Sequence, residues 1–293
     1  MTRKGSILMS IQLEREYNYA FLDEGSKKEI RRSTLKAVAI PGYQVPFASR
    51  EMPIGRGWGT GGLQLTLSLI GDEDSLKVID QGHDDSVNAV SIKRLVESCS
   101  NVTTTDDSEH ATVIQTRHRV PEIPLRDDQI LVLQVPLPEP LRRTEAKEKV
   151  TKRLHAEMDY SSIWLRLYED IVKWKKITIG ADYPSMVHHR YIINPSPIPR
   201  YDVPKLHQAE GLYLFGAGRE KKIYAIPPYT DVEPLEFLDY SFEVENFEHF
   251  TCHLCGCTDS FLDEIYDAKT GEKIYQCSDT GYCNTRQRER EAL

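Results

Sequence analysis

Long hydrophobic runs are absent from this sequence of 293 residues. No stretch approaches the roughly 18 consecutive apolar residues that a membrane-spanning helix needs. Residues 1–12 carry two early cations, but they lack an apolar segment of the length that a signal peptide requires. We therefore expect a soluble, cytoplasmic protein that makes no contact with a membrane.

Positive charge is also scarce. The chain has 37 Lys and Arg against 45 Asp and Glu, which gives a formal net charge of −8. A protein that coats nucleic acid needs a cationic face to bind phosphates, so this balance argues against a nucleic-acid partner. It still allows a local basic pocket for one small phosphorylated substrate. Apolar residues make up 40% of the chain, as in globular proteins, so we expect a packed core.

Cysteine is nearly missing from most of the chain. Of the 6 cysteines, only Cys99 precedes position 252. A secreted disulfide scaffold is short and spreads its cysteines along the sequence, so that class of protein is excluded. A terminal cluster in a long chain predicts metal binding or redox chemistry instead.

The hydrophobic pattern predicts an α+β fold with a mixed-sheet core, a helical insertion and a small C-terminal cysteine-rich metal module. Strict alternation over residues 63–69 predicts the clearest strand. Further strands are predicted at 111–116, 130–135, 212–215 and 222–226, and helices at 26–40 and 89–99.

Changes in composition divide the chain into four segments. Residues 1–136 and 187–248 form the two parts of the core. Residues 137–186 are highly charged and favour helix between flanking prolines, so they predict a helical insertion. Residues 249–293 form the cysteine module and a charged tail, which we expect to fray from Asn284 onwards.

The C-terminal cysteines have the spacing of a metal site. Cys252 and Cys255 form a Cys-x-x-Cys pair, while Cys277 and Cys283 supply a second, more widely spaced pair. Two ligands from one tight turn can chelate an ion, and a second pair completes its shell. The spacing favours structural zinc and leaves open an iron–sulfur cluster or a redox dithiol. Cys257 is either a free thiol beside the site or a substitute ligand.

Three other segments carry side chains that can bind anions or metals. Residues 55–62 are glycine-rich but are not a P-loop, so they form either a flexible turn or an anion-binding loop. Residues 80–85 combine acids with an imidazole, and their simplest interpretation is a solvated loop that ends in a helix cap. His118, within the segment 116–119, lies either at a surface strand end or in a metal or anion site.

Six motifs occur in an order that resembles one family. They are KAVAIPGYQVPF at 36–47, GWGTGG at 57–62, VIDQG at 78–82, QTRHR at 115–119, GAGREK at 216–221 and CSDT at 277–280. Together they resemble the catalytic J subunit of bacterial carbon–phosphorus lyase. The resemblance extends from about Tyr17 to Cys283, which is nearly the whole chain.

The resemblance implies radical chemistry on a phosphonate. In that family a 4Fe–4S cluster reductively cleaves S-adenosylmethionine, and the radical passes from a glycine to a cysteine, whose thiyl attacks phosphorus. The substrate is α-D-ribose 1-methylphosphonate 5-phosphate, and methane and ribose 1,2-cyclic phosphate 5-phosphate leave. The glycine corresponds to Gly42 and the thiyl cysteine to Cys283. The cluster ligands correspond to Cys252, Cys255 and Cys277. In resting or air-exposed protein the same three cysteines, with Cys283 as a fourth ligand, can hold zinc instead.

The resemblance also implies partners. The J subunit works in a core complex with the G, H and I subunits, and His118 corresponds to a histidine near a metal site shared with the I subunit. The insertion 137–186 corresponds to the place where the family docks an ABC-type ATPase subunit. Two alternatives stay open: a self-packed helical hairpin without a partner, and a zinc-stabilised interaction subunit without catalysis.

Overall fold

A computed structural model of the chain describes most of its residues. The described residues are 44–46, 61–80, 83–117, 119–134, 140–176, 183–194, 196, 203–217, 222–239 and 249–293. The helix predicted at 26–40, the glycine-rich loop at 55–60, Gly42 and His118 lie outside the described residues.

The described part of the chain contains 12 strands and six α-helices in a mixed order. The strands are β1 (Gln44–Pro46), β2 (Ser75–Ile79), β3 (Thr103–Thr104), β4 (Val113–Thr116), β5 (Ile130–Gln134), β6 (Ser185–Val187), β7 (Tyr191–Ile193), β8 (Leu212–Ala217), β9 (Lys222–Ile226), β10 (Val232–Pro234), β11 (Leu262–Tyr266) and β12 (Lys273–Cys277). The helices are α1 (Gly61–Leu69), α2 (Val87–Cys99), α3 (Glu148–Glu157), α4 (Ser161–Tyr168), α5 (Val203–Leu206) and α6 (Thr280–Glu291). A 3-10 turn spans Pro140–Arg143, and a π-helical turn spans Glu169–Lys173.

A mixed seven-stranded sheet with the order β1-β9-β8-β5-β4-β2-β3 forms the centre of the fold. The strands from β3 to β8 in that order are parallel, while β9 and β1 are antiparallel additions at one edge. This architecture confirms the predicted mixed sheet. It also confirms the strands predicted at 111–116, 130–135, 212–215 and 222–226, and the helix at 89–99.

The strand predicted at residues 63–69 is wrong, because the segment forms helix α1. The alternating leucines suggested one buried face, but Leu63, Thr66 and Leu67 in the helix are all at most 1% exposed, and so is Leu65. Helix α1 is buried on several sides against β5 and β8. A short apolar run of this kind does not distinguish a strand from a buried helix, and leucine favours helix.

Both faces of the sheet are buried, as is usual for parallel strands. On one face, Leu76 and Val78 pack with the apolar residues of α1 and α2. On the other, Ile114 and Leu131 belong to a continuous apolar cluster that also contains Ile163 of α4. The helical segment therefore shares the main core. Its status as an inserted, partner-docking unit stays a prediction.

The C-terminal segment is more ordered than the sequence indicates. Strands β11 and β12 pair as a hairpin, and helix α6 follows directly. The expected fraying from Asn284 is wrong, because α6 continues to Glu291. Asp279 caps its N-terminus, and Arg288 and Arg290 in the last turn complement the helix dipole. None of the described helices has both the length and the apolar character needed to cross a membrane.

Candidate metal centre

The first two cysteines lie on a tight turn that faces the end of the hairpin. The backbone N–H of Cys252 donates to the carbonyl of Cys257 at 2.9 Å, and the N–H of Gly256 donates back to the carbonyl of Cys252 at 2.9 Å. Gly256 has a φ of 74°, in the left-handed region that glycine adopts without a steric penalty. The turn therefore directs the Cys252 and Cys255 thiols towards the same point.

The second pair comes from two different elements. Cys277 is the last residue of β12, where it pairs with Leu262 of β11. Cys283 lies in the first turn of α6 and is 2% exposed. The hairpin and the helix together bring this pair to the turn that carries Cys252 and Cys255.

The four sulfur atoms form a compact cluster. Cys252 Sγ lies 3.8 Å from Cys283 Sγ, and Cys255 Sγ lies 3.5 Å from Cys277 Sγ. All four sulfurs lie within 4.8 Å of one another and are buried. A tetrahedral zinc ion with bonds of about 2.3 Å separates its sulfur ligands by about 3.8 Å. The donor set therefore fits one four-coordinate ion in a closed site.

A four-iron cluster on three of these cysteines does not fit the same positions. Each thiolate of such a cluster binds a different iron, so its sulfurs lie further apart than around a single ion. Cys283 also lies among the other three sulfurs, where it closes the shell. A cluster with an open iron requires Cys283 to leave and the other three thiols to separate.

The thiols differ in their readiness to ionise in the metal-free protein. Burial raises the pKa of Cys252, but backbone N–H groups of Cys255, Cys277 and Leu254 outweigh it and lower the pKa to about 6. Burial, together with the neighbouring Cys252 and Cys255 thiols, raises the pKa of Cys283 to about 12. Burial is also the main cause of the raised pKa of Cys277.

Zinc affinity is expected to increase steeply with pH, because metal binding needs thiolates. Near neutral pH, Cys252 is already largely ionised, whereas Cys277 and Cys283 must each lose a proton. Release of these two protons raises the affinity by at least about a hundredfold per pH unit above pH 7. Competition with a chromophoric chelator at two pH values measures this slope, and a slope near zero would contradict the assigned ligands.

Cys257 lies outside the sulfur cluster, although it is 1% exposed. Its thiol donates to Asp259 Oδ1 at 2.5 Å, and its Sγ lies 3.4 Å from Ser260 Oγ. Burial and Asp259 raise its pKa. Ser260 Oγ also lies 3.1 Å from Cys277 Sγ, so Ser260 contacts the sulfur cluster from outside.

Comparison with known proteins assigns the family. The family model described as "Phosphonate metabolism protein PhnJ" matches residues 15–289. The chain is 54% identical over 267 residues to the alpha-D-ribose 1-methylphosphonate 5-phosphate C-P lyase of Escherichia coli (strain K12), covering 91% of this chain and 95% of that protein. It is 53% identical over 270 residues to the alpha-D-ribose 1-methylphosphonate 5-phosphate C-P-lyase of Rhizobium meliloti (strain 1021), covering 92% of this chain and 91% of that protein. The chain belongs to the PhnJ family. It is thus a protein of phosphonate metabolism.

The other candidate sites of this PhnJ-family chain have mixed outcomes. The loop before α2 does end in a helix cap, since Ser86 Oγ accepts from Ala89 N at 3.1 Å. That loop is not simply solvated, because Asp84 is fully buried and Asp80 pairs with Arg117 at 2.8 Å. The glycine and the histidine that the resemblance singled out are not described, so their roles stay predictions.

Sequence reasoning missed one group of functional-site residues in this PhnJ-family chain. Lys77 in β2 is buried and pairs with Asp84 and with Asp279, the residue that caps α6. An acid two residues after Cys277 and at the start of a helix is a cap signal that could have identified Asp279. Nothing local marked Lys77, because its partners lie in distant parts of the chain.

Proposed function

We propose that this chain is the subunit of a carbon–phosphorus lyase that cleaves α-D-ribose 1-methylphosphonate 5-phosphate. The observation that carries the proposal is the identity of more than half of the aligned residues to two lyases named for this substrate, over more than nine-tenths of each chain. The buried four-thiol site supports it, since it gathers sulfur from the turn, the hairpin and α6 at one point.

The net bond changes at the substrate balance without an oxidant or reductant, whereas forming the starting radical takes one electron from an added reductant. The 2-hydroxyl oxygen of the ribose forms a new bond to phosphorus, and the carbon–phosphorus bond breaks. The hydroxyl hydrogen is formally transferred to the methyl group, which leaves as methane. The sugar product is ribose 1,2-cyclic phosphate 5-phosphate. A methyl carbanion is a poor leaving group, so a radical route is favoured over ordinary polar hydrolysis.

In the proposed radical route, a backbone radical on Gly42 takes the hydrogen of the Cys283 thiol, and the resulting thiyl forms a sulfur–phosphorus bond as the carbon–phosphorus bond breaks. The released methyl radical takes a hydrogen from Gly42, which restores the glycyl radical, and leaves as methane. The 2-hydroxyl oxygen then displaces the sulfur from phosphorus, and the hydroxyl proton returns to Cys283 as its thiol hydrogen. A glycine α-radical can become planar without a side-chain clash, and a thiol exchanges hydrogen readily with such a radical. We propose that the compact sulfur arrangement is the zinc-held resting state. Chemistry with a 4Fe–4S cluster and S-adenosylmethionine then requires the release of Cys283.

The proposal includes partner subunits. We propose that the chain assembles with G, H and I subunits, with His118 near a metal site shared with the I subunit. An ABC-type ATPase would dock on the helical segment. Exposed apolar side chains on that segment support a docking surface, since Leu165 is 70% and Trp174 is 58% exposed.

Methane release tests the proposed activity. The complex is purified without oxygen and supplied with iron, sulfide, reductant, S-adenosylmethionine and the ribose methylphosphonate. We expect methane from the wild type, and a loss of more than about a thousandfold in Cys283→Ala, as when a covalent catalyst is removed. Cys257→Ala removes a buried thiol outside the cluster and should keep most of the activity. No methane from the wild type, or equal methane from Cys283→Ala, would refute the proposal.

A second candidate is a zinc-stabilised interaction subunit without catalysis. The closed shell of four buried thiols favours it, because structural zinc sites have no open position. The same assay separates the two candidates through Gly42→Ala. Full methane release by a complex that contains Gly42→Ala, with one zinc and no iron in the anaerobic protein, would favour the interaction subunit.

A further inference from the structure

A lysine lies buried in β2, beside the edge strand β3, on the face that receives the cysteine module. Lys77 of β2 is 0% exposed, as is Asp84. Its ammonium donates to Asp279 Oδ1 at 2.9 Å, to Asp84 Oδ2 at 3.2 Å and to the carbonyl of Asp106 at 2.5 Å. All three N–H bonds of the ammonium are therefore used. A buried charge is tolerated only when it is paired and hydrogen-bonded in this way.

Asp279 links this lysine to the helix that carries Cys283. Its Oδ1 accepts from Lys77 and also from Tyr282 N at 3.2 Å, which is the N-cap bond of α6. Its Oδ2 accepts from Glu122 N at 3.2 Å and from Ser108 Oγ at 3.4 Å. One carboxylate thus fixes the start of α6 and joins it to the core.

Asp84 holds the same helical turn from its other side. Its Oδ2 accepts from the backbone N–H of Thr280 at 2.9 Å, and its Oδ1 accepts from the Thr280 hydroxyl. Its own backbone N–H donates to the carbonyl of Ser278 at 3.5 Å. The two carboxylates that flank Lys77 therefore hold residues 278–282, directly before Cys283.

We propose that Lys77 is a positioning residue that keeps Cys283 within the four-cysteine cluster. Without the ammonium, two buried carboxylates face each other with no cation between them. Repulsion then drives Asp279 or Asp84 away, and the first turn of α6 loses its cap and its anchor. The Cys283 sulfur moves with that turn, whereas Cys252 and Cys255 are held by their own turn.

This inference rests on the proposed function, because that function depends on Cys283. It concerns where the Cys283 sulfur lies and not how fast the reaction runs. The test uses zinc-loaded, full-length protein and measures alkylation of each cysteine by iodoacetamide with peptide mass spectrometry. In Lys77→Met, we expect Cys283 to be labelled about tenfold faster while Cys255 stays protected, as loss of a cap and a buried pair predicts. Adding Asp84→Asn to Lys77→Met removes the repulsion and should restore most of the protection.

The matched control is Lys273→Met, which removes an exposed ion pair with Glu264 in the same module. It should leave all four cysteines protected. Unchanged labelling of Cys283 in Lys77→Met would overturn the proposal, and so would equal labelling of Cys255. If Lys77→Met does not fold, Asp279→Asn tests the same link, because it keeps a cap acceptor but loses the charge. Faster Cys283 labelling there supports the proposal, and no change overturns it.

Discussion

Removal of the metal ion by a chelator is expected to unfold residues 249–293 while the central sheet stays folded. Among the described residues, the buried apolar cluster of this module consists of five cysteines and Leu262, and the partly buried side chains packed against it are Tyr275 and Tyr282. A two-stranded hairpin is marginally stable by itself, so we expect this small cluster and the anchors at residues 278–282 to be too weak to keep the module folded without metal. Structural zinc contributes about 10–16 kcal/mol of apparent binding free energy in small domains.

Hydrogen exchange followed by mass spectrometry measures this effect segment by segment. The amides of β11, β12 and α6 should lose protection in the metal-free protein, and added zinc should restore it. Cys255→Ser should behave like the chelated protein, whereas Cys257→Ser should behave like the wild type. Full protection of α6 in the absence of metal would show that the ion does not stabilise the module.

Gly281→Ala is expected to separate the cysteine module from the core. A Cβ at Gly281 would lie 2.3 Å from the carbonyl oxygen of Asp106 and 3.1 Å from Asp107 Cα. Both are backbone atoms, so the first turn of α6 must move away. In a helix without this contact, alanine is more stable than glycine by up to about 1 kcal/mol. A loss of stability in Gly281→Ala would therefore come from the contact with this loop. Overpacking costs about 1–3 kcal/mol, so we expect net destabilisation.

Urea unfolding and hydrogen exchange test this substitution together. The free energy of unfolding should fall, and protection should be lost first at the contact between residues 278–282 and the loop at 105–108. Gly71→Ala is the matched control, because the nearest atom to its Cβ would be Asp74 Oδ2 at 3.7 Å. Stability at or above the wild-type value in Gly281→Ala would show that the module does not pack against this loop as described.

The metal site could be predicted from the sequence because its chemistry is local. Cys252 and Cys255 chelate from one turn, so their spacing alone indicates the geometry. A structural zinc ion needs four ligands, and Cys277 and Cys283 are thiols that can supply the other two. The sequence therefore also indicated that they complete the cluster. The position of Cys283 depends on the Asp279 cap, which also explains why α6 does not fray.

The error at residues 63–69 has a physical cause. Leu63, Leu65 and Leu67 alternate with polar residues, and a strand with one solvent-facing side would show that pattern. In α1 the intervening Thr66 is 0% exposed, so the alternation of leucines with polar residues does not mark a solvent-facing side. Only the packing of this helix against β5 and β8 determines its structure, and that information is not local.

Lys77 was beyond prediction for a related reason. A lysine between apolar residues of a strand is typical of a solvent-facing position. Its partner Asp279 lies 202 residues further along the chain, and the two meet only when the module docks on the sheet. Neither strand β2 nor the burial of this charge was predicted from the sequence.

The coordination of the native metal ion tests the central claim most directly, namely that Cys283 shares one ion with Cys252, Cys255 and Cys277. X-ray absorption spectroscopy of zinc-loaded protein measures the number and type of ligands. We predict four sulfur atoms at about 2.3 Å and no neighbouring metal. In Cys283→Ser, one sulfur should be replaced by a lighter atom. A shell of three sulfurs in the wild type, unchanged in Cys283→Ser, would contradict the account.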